Sequence, residues 1–341
     1  MFAGIDSHKD LLVGAVVDEL GRAVNVESAA NDPAGHQALL TWLRGLPDVE
    51  RVGVECAGSY GRQFALTLQA AGVAVVEVPP RLTARERRRD RKAGKNDEQD
   101  AVLIARIVAR EADLPPIRPT GVSEDLAAVL AHRDHLVGER TRIANRVHAT
   151  LAQLHPGYAS TCPSLITAKA LRKVRALVAD DPSVRAELVR AQVDRLEDLD
   201  REIKARARQL GELVAGSGST LTQICGAGPI VAARILVAVG DPSRFPTKNK
   251  FARMNGTAPV PASSGRTQRH RLNRGGNRQL NRAIHTIALA QIRHHPDGRA
   301  YYDRKRKENK TGRDALRCLK RRVSDAVYRQ LMTDTRAALT T

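Results

Sequence analysis

The sequence has few aromatic residues, no closely spaced cysteines and no long apolar run. Aromatic residues make up 3% of the chain, which disfavours binding single strands by stacking successive bases. The four cysteines form no CxxC pair, so neither a disulfide scaffold nor a zinc ribbon is expected. The sequence contains no run of about 18 apolar residues, so no membrane span is expected. The first residues also lack a secretion signal, and the expected compartment is a reducing cytoplasm.

Positive charge is the main feature of the amino-acid composition. The 341 residues include 56 Lys and Arg against 37 Asp and Glu, which gives a formal net charge of +19. Such an excess favours a polyanionic partner, because each cation placed on a phosphate releases a condensed counterion. Hydrophobic residues reach 42%, which excludes wholesale disorder, and the length suggests two or three domains.

Residues 1–115 are predicted to form an α/β domain. Three short apolar segments within residues 2–26 are followed by helical and extended segments in alternation, which predicts a mixed sheet with helices on its faces. The basic segment Arg81–Lys95 is predicted either as a solvated surface loop or as a phosphate contact. The density of arginines favours the second, with candidates Arg85, Arg87, Arg88 and Arg89.

Residues 123–215 are predicted to form a helical coiled-coil region. Apolar residues recur at a and d heptad positions between Val189 and Leu213, and a looser stripe runs through Leu126–Leu154. Pro156–Pro163 separates the two helices. The pattern leaves open whether they pack as an antiparallel hairpin within one chain or dimerise.

Residues 216–341 are predicted to form a mainly α-helical third domain. Its segment Leu221–Ile235 reads as a small apolar helix, a Gly-x-Gly turn and a second helix, which is similar to a helix–hairpin–helix. In that motif, backbone N–H groups at glycines such as Gly226 and Gly228 approach a phosphate. The alternative is an ordinary tight turn between helices.

Four carboxylates fall where chain geometry could gather them. Asp6 and Glu55 end two predicted strands, and Asp97 and Asp100 stand three apart at the start of a predicted helix. A cluster of this kind is stable only with hard cations, and two Mg²⁺ ions about 3.5–4 Å apart would clamp a phosphodiester. Each acid taken singly could instead be a turn or helix-start residue.

The segment Ser263–Arg282 contains six arginines and no acid. A serine in this field suits attack on phosphorus, because arginine stabilises the charge that develops on the phosphate oxygens. His270 is the obvious local base. From the residues alone, a basic loop with passive serines is the favoured interpretation. The predicted phosphate contacts here are Arg266, Arg269, Arg271, Arg274 and Arg278.

The C-terminal stretch Arg299–Arg322 is a second basic segment. It carries eleven basic and three acidic residues. Arg317, Lys320 and Arg321 recur at helical spacing, which favours direct phosphate contact over a solvated helix.

The order and spacing of these motifs along the sequence resemble those of a known family. The chain resembles the insertion-sequence one-ten transposases, the bridge-RNA-guided recombinases related to the Piv DNA invertases. The Lys-x-Asp-x-x-Asp-Ala pattern that begins at Lys95 is quite specific, and the resemblance covers nearly the whole chain. The segments that carry it are Gly4–Asp6, Val54–Tyr60, Lys95–Ala101, Gly226–Gly228, Asn255–Pro259 and Ser264–Gly265.

The resemblance implies a specific chemistry. It implies a RuvC-like RNase H fold in which Asp6, Glu55, Asp97 and Asp100 bind the metal ions. It also implies a separate transposase domain whose nucleophilic serine lies five residues after a proline and just before a glycine. With Pro259 as that proline, the serine is Ser264, although Ser263 is adjacent.

The resemblance also implies the partners. The family forms a covalent phosphoserine link to DNA, at a site shared between subunits, which implies a homodimer or a tetramer built as a dimer of dimers. A noncoding bridge RNA pairs with donor and target DNA, and the protein is expected at the bacterial nucleoid. The +19 charge and the scarcity of aromatics fit such a division of labour.

Two other functions are compatible with the residues. The first is a metal-dependent endonuclease of the Holliday-junction resolvase kind, which would use the four acids and water. The second is an RNA-binding or architectural protein without catalysis, which the placement of the acids makes the weakest of the three.

Overall fold

The computed structural model describes residues 1–89, 96–117, 122–261, 270–271, 273 and 275–339. The chain forms two compact units, Met1–Arg118 and Pro119–Thr341. Among the described residues, no helix combines the length and apolar character needed to cross a bilayer.

The first unit is built on a five-stranded sheet with the order β3-β2-β1-β4-β5. Its strands are β1 (Phe2–Ser7), β2 (Leu11–Val17), β3 (Ala23–Ala30), β4 (Arg51–Glu55) and β5 (Val75–Val78). The first three strands form an antiparallel meander, and β4 and β5 continue from β1 in parallel. The central strands are almost entirely buried, as is typical of strands covered on both faces.

Four helices belong to this sheet, namely α1 (Pro33–Arg44), α2 (Arg62–Ala70), α3 (Pro80–Arg89) and α4 (Asp97–Arg110). Leu39 and Leu43 of α1 and Phe64 of α2 lie in one core, whereas Ile104 and Val108 of α4 belong to a second. The predicted mixed sheet with helices on its faces is therefore confirmed.

Part of the segment predicted as a loop is helical. Within Arg81–Lys95 the described residues 81–89 continue the helix that begins at Pro80. Arg, Glu, Ala and Leu all have high helix propensity, and proline is favoured in the first turn. The helix itself was not predicted, because it is too basic to show an apolar stripe, and the phosphate contact stays a prediction.

The second unit is helical. Its helices are α5 (Val122–Leu154), α6 (Ala168–Leu177), α7 (Val184–Gly216), α8 (Pro229–Val239), α9 (Lys248–Met254), α10 (Arg278–His294), α11 (Pro296–Lys307) and α12 (Gly312–Leu339). Two short strands, β6 (Val260–Pro261) and β7 (His270–Arg271), pair antiparallel. Single 3₁₀ turns lie at Tyr158–Ser160, Leu221–Gln223 and Pro242–Arg244.

The long helices α5 and α7 pack against each other within one chain. The start of α5 shares a core with the end of α7, at Leu126 and Leu210, and the end of α5 shares another with the start of α7, at Leu151 and Val189, so the two helices run antiparallel. Ion pairs between them include Arg140 Nη2 to Asp200 Oδ2 at 3.0 Å. Val189, Leu196 and Leu199 are fully buried between the helices, as their heptad spacing predicts. The helices thus form the intrachain hairpin, while a regular coiled coil and a role in dimerisation stay predictions.

This hairpin continues into the C-terminal block. Its open end shares a core with the helices that follow, and the residues of that core include Leu126, Leu130, Leu210, Ile235, Ile284 and Val327. The sequence predicts a boundary between the helical region and the third domain near residue 216, where glycines and serines suggest a linker. The structure joins them in one unit, because the apolar ends of α5 and α7 are buried against α8.

Candidate metal centre and basic cleft

Two buried carboxylates lie side by side at one edge of the sheet. Asp6 lies on β1 and Glu55 is the last residue of β4, and these neighbouring strands run parallel with Ile5 opposite Val54. The two side chains therefore leave the sheet at the same end. Asp6 is 5% exposed and Glu55 is 7% exposed.

Helix α4 brings the other two carboxylates to this edge. Its backbone rests directly on β1, since a Cβ atom on Gly4 would overlap the backbone of Ala105. Asn96 caps the helix by accepting a hydrogen bond from Glu98 N at 3.1 Å. The first turn, with Asp97 and Asp100, consequently lies beside Asp6.

A histidine that the sequence analysis did not identify connects two of the acids. His8 Nε2 lies 3.1 Å from Asp6 Oδ2 and 3.5 Å from Asp97 Oδ1. One ligand atom from each of the three residues falls within 4.8 Å of the others, a spacing that a metal ion can bridge. The sequence did contain a signal, because His8 follows Asp6 by only two residues, just beyond the end of β1.

Two further contacts were missed by the sequence analysis. The hydroxyl of Thr83, a buried residue of α3, donates a hydrogen bond to Glu55 Oε1. Arg87 Nε of the same helix lies 2.6 Å from Asp100 Oδ1. Arg87 was predicted to contact nucleic acid, whereas here its guanidinium binds a member of the acidic cluster. No sequence signal pointed to Thr83, because its segment was predicted as a loop.

The electrostatics of the cluster suit a hard cation. Burial raises the pKa of Asp6, and the negative charges of Asp100 and Asp97 raise it further, whereas His8 opposes both effects. Burial likewise raises the pKa of Glu55, with the Thr83 hydrogen bond opposing it and the Asp6 charge adding to it. Carboxylates forced together in a poorly solvated place are stabilised by a divalent cation with oxygen ligands. The donor set therefore fits Mg²⁺.

The second unit contains a basic cleft of about 880 Å³. Its walls come from α12 and from the segment Gly256–Pro259 that leads into β6. A neighbouring cleft of about 950 Å³ shares Gly256, Asn273 and Lys320 with it. The basic side chains of the first cleft are Lys248, Lys310, Arg317, Lys320, Arg321 and Arg322.

Comparisons with known proteins find two matching family models. Residues 3–156 match a family model described as a transposase, and residues 218–303 match one described as "Transposase IS116/IS110/IS902 family". The chain belongs to this family of insertion-sequence transposases. The first match contains all four carboxylates, and the second spans α8 to α10 and both short strands.

Three relatives align with this transposase over almost the whole of both chains. It is 26% identical to the insertion element IS900 uncharacterized 42 kDa protein of Mycobacterium paratuberculosis, over 97% of this chain and 95% of that protein. It is 27% identical to the IS110 uncharacterized 43.6 kDa protein of Streptomyces coelicolor, over 98% and 95%. The mini-circle putative transposase for IS117 of the same species is 26% identical over 98% and 94%.

The segment of the transposase that holds the candidate nucleophile is bounded by paired strands. Pro261 pairs with His270 and Val260 with Arg271. Ser263 and Ser264 lie outside the described residues, as do Arg266, Arg269 and Arg274. The structure also does not describe the side chains of Arg88, Arg89 and Arg271.

The described arginines of the transposase's predicted nucleic-acid surfaces are largely ion-paired. Arg85 on α3 lies 3.5 Å from Glu86. On α12, Arg317 lies 2.9 Å from Asp314, and Arg321 lies 2.6 Å from Asp325. Arg278 is exposed at the start of α10 and lines the second cleft.

The helix–hairpin–helix-like segment of the transposase differs from the prediction. Leu221–Gln223 forms a single 3₁₀ turn rather than a small helix, because the polar side chain of Asp334 binds Ser219 and Thr220 just before it. Gly226 has a φ of +92° and packs on α10, where a Cβ would approach Ala290 Cβ to 2.6 Å. Packing therefore requires a glycine at position 226. Gly228 is the N-cap residue of α8, and a Cβ atom there would meet no atom within 4 Å.

Proposed function

We propose that this transposase cuts and rejoins DNA through a covalent phosphoserine intermediate, with the acidic cluster as its metal centre. The observation that carries the proposal is the gathering of Asp6, Glu55, Asp97 and Asp100 at one sheet edge. A protein that only binds nucleic acid would gain nothing from burying mutually repelling carboxylates. The strand order, with an antiparallel meander followed by two parallel strands, supports the RuvC-like RNase H fold that the resemblance implies.

The four carboxylates are the residues that would hold the metal, with His8 at their side. When bound, two Mg²⁺ ions would supply Lewis-acid stabilisation of the attacking and leaving oxygens of a phosphodiester. The chain itself positions the ligands. The close contact of Gly4 with α4 fixes the first turn of that helix, and Thr83 orients Glu55.

The serine step is assigned to Ser264. Its Oγ attacks phosphorus and forms a phosphoserine ester, while the bond to the departing strand breaks and that strand leaves as a hydroxyl. The proton lost by Oγ balances the one gained by the leaving oxygen, so rejoining is the same reaction in reverse. As in the family it resembles, we expect the acids of one subunit and the serine of another to form the site, in a dimer or a dimer of dimers.

A covalent adduct separates this proposal from the endonuclease alternative. Incubation with a labelled cognate DNA and Mg²⁺ is expected to leave DNA attached to protein after denaturation and phenol extraction. A resolvase-like hydrolase would use water as nucleophile and leave cleaved DNA without attached protein. Cleavage with no adduct would therefore favour the endonuclease.

The second part of the proposal is guidance by a bridge RNA that pairs with donor and target DNA. Its support is the net charge of +19 with 3% aromatics, which suits holding backbones while base pairing reads sequence. Sequencing the RNA that copurifies with the protein tests this point. Reads from the flank of its own gene are expected, and a random mixture of cellular RNA would contradict guidance.

A further inference from the structure

Lys320 differs from the other cations of the basic cleft because it is buried. Its side chain lies on α12 and the residue is only 9% exposed. Nζ donates one hydrogen bond, to Asn281 Oδ1 at 2.6 Å. Within the part of the chain that the structure describes, no ion pair joins Lys320 to a carboxylate. An ammonium group has three protons to donate, so this group retains unused donors.

The acids near Lys320 are held by other cations. Three carboxylates line the same cleft, from Glu308, Asp314 and Asp325. Glu308 lies 2.8 Å from Lys305 Nζ. Asp314 lies 2.9 Å from Arg317 Nη1, and Asp325 lies 2.6 Å from Arg321 Nη1. Burying a charge without an opposite charge is unfavourable, which indicates that this cation serves an anion from outside the chain.

A network of two asparagine amides fixes the partner of Lys320. Asn281 Nδ2 donates to Asn255 O at 2.7 Å, so its Oδ1 is turned toward Lys320. Asn255 is fully buried, and its Nδ2 donates to Ser324 Oγ at 2.8 Å. Asn255 Oδ1 accepts from Thr257 N at 3.0 Å. The ammonium is therefore held at a fixed place rather than on a freely rotating stem.

The surroundings of Lys320 favour an anion. Lys320 and Gly256 line both clefts, and Arg278 and Arg282 line the second. Burial lowers the pKa of Lys320, and the charge of Arg317 lowers it further, which an incoming anion would reverse. Burial also lowers the pKa of His285 in the second cleft, and the charge of Lys320 adds to the effect.

We propose that Lys320 is the fixed cation of a phosphodiester subsite, where its ammonium and the Asn281 amide position one phosphate of the DNA backbone. The inference rests on the proposed function, because DNA enters as the partner through the transposase family. It adds that Lys320, and not the paired Arg317 or Arg321, makes the principal contact in this cleft. The contact is to backbone, so it is independent of base sequence.

The test measures binding of a fluorescently labelled DNA duplex over a range of salt concentrations. Lys320→Met removes the charge and keeps the apolar stem, and we expect affinity to fall about tenfold, as for loss of one charge-assisted hydrogen bond. The slope of log K against log salt should decrease in magnitude by about one. Lys169→Met, an exposed lysine on α6, is the matched control and should leave both values unchanged.

A second variant keeps the lysine and supplies an internal anion. Asn281→Asp places a carboxylate on the ammonium, so it should weaken DNA binding as Lys320→Met does. The melting temperature separates this role from a structural one, because loss of a structural lysine would lower it. Without DNA, Lys320→Met should melt no lower than the wild type, while the rise in melting temperature on adding DNA should shrink.

The outcomes separate the two proposals. If Lys320→Met melts lower and binds DNA as the wild type does, Lys320 is structural and the inference is wrong. A loss of affinity for an RNA duplex but not for DNA would also overturn it. If instead the wild type forms no complex with DNA, the proposed function itself fails.

Discussion

Ser264→Ala is expected to abolish the covalent protein–DNA adduct, whereas Ser263→Ala leaves it intact. Alanine has no oxygen to attack phosphorus, so no phosphoserine ester can form. The measurement is the amount of labelled DNA that stays with the protein on a denaturing gel after phenol extraction. Metal and DNA binding should be unchanged in Ser264→Ala, because the acidic cluster and the basic cleft are untouched.

The adjacent serine is the sharpest control that the chain offers. Both variants remove one hydroxyl from the same segment, between strands whose ends pair at Pro261 and His270. A general effect of the substitution on this segment would therefore reduce the adduct in both. Loss of the adduct in Ser263→Ala alone would move the nucleophile to Ser263. Retention of the adduct in both variants would exclude a serine of this segment.

Much of the first unit could be predicted because its signals are local. One of the apolar segments predicted within residues 2–26 is the strand Leu11–Val17, and the helix predicted to start around Asp97 and Asp100 is α4. Asn96 and the acids after it are a strong helix-start signal. The placement of Asp6 and Glu55 at strand ends followed from the same patterns.

What could not be predicted depends on contacts between distant segments. The burial of Thr83 and the ion pair from Arg87 to Asp100 both require the packing of α3 beside α4. A basic helix without an apolar stripe gives no local sign of this packing. Lys320 was predicted as one of three equivalent phosphate contacts. Its burial depends on the Asn281 amide, 39 residues earlier in the chain.

Asp6→Asn is expected to reduce metal-dependent DNA cleavage by about 100-fold or more, which corresponds to losing about 3 kcal/mol of transition-state stabilisation. The amide keeps the shape of the side chain and removes the charge that would bind a cation. Binding of Mn²⁺, used as a probe in calorimetry, should weaken in parallel. Asp18→Asn is the control, because Asp18 follows β2 at the opposite end of the same sheet.

The same variant should make the protein more stable when divalent metal is chelated. The negative charge at Asp6 is buried and faces those of Asp97 and Asp100, so removing it relieves both desolvation and repulsion. A cluster retained despite this unfavourable energy indicates selection for function over stability. The melting temperature in chelator is the measurement, and a variant that melts lower than the wild type would contradict a site of strained carboxylates.

The pH dependence of the free energy of unfolding tests the raised carboxyl pKa values independently. The pKa values of Asp6 and Glu55 are raised from ordinary values of 3.8 and 4.5, so the folded state holds protons that the unfolded state releases. Their stabilising contribution is complete below those ordinary values and is lost as pH rises through the raised values. In chelator, the free energy of unfolding should therefore decrease over this window, and less so for Asp6→Asn. Parallel curves for the variant and the wild type would mean that Asp6 does not titrate with a raised pKa.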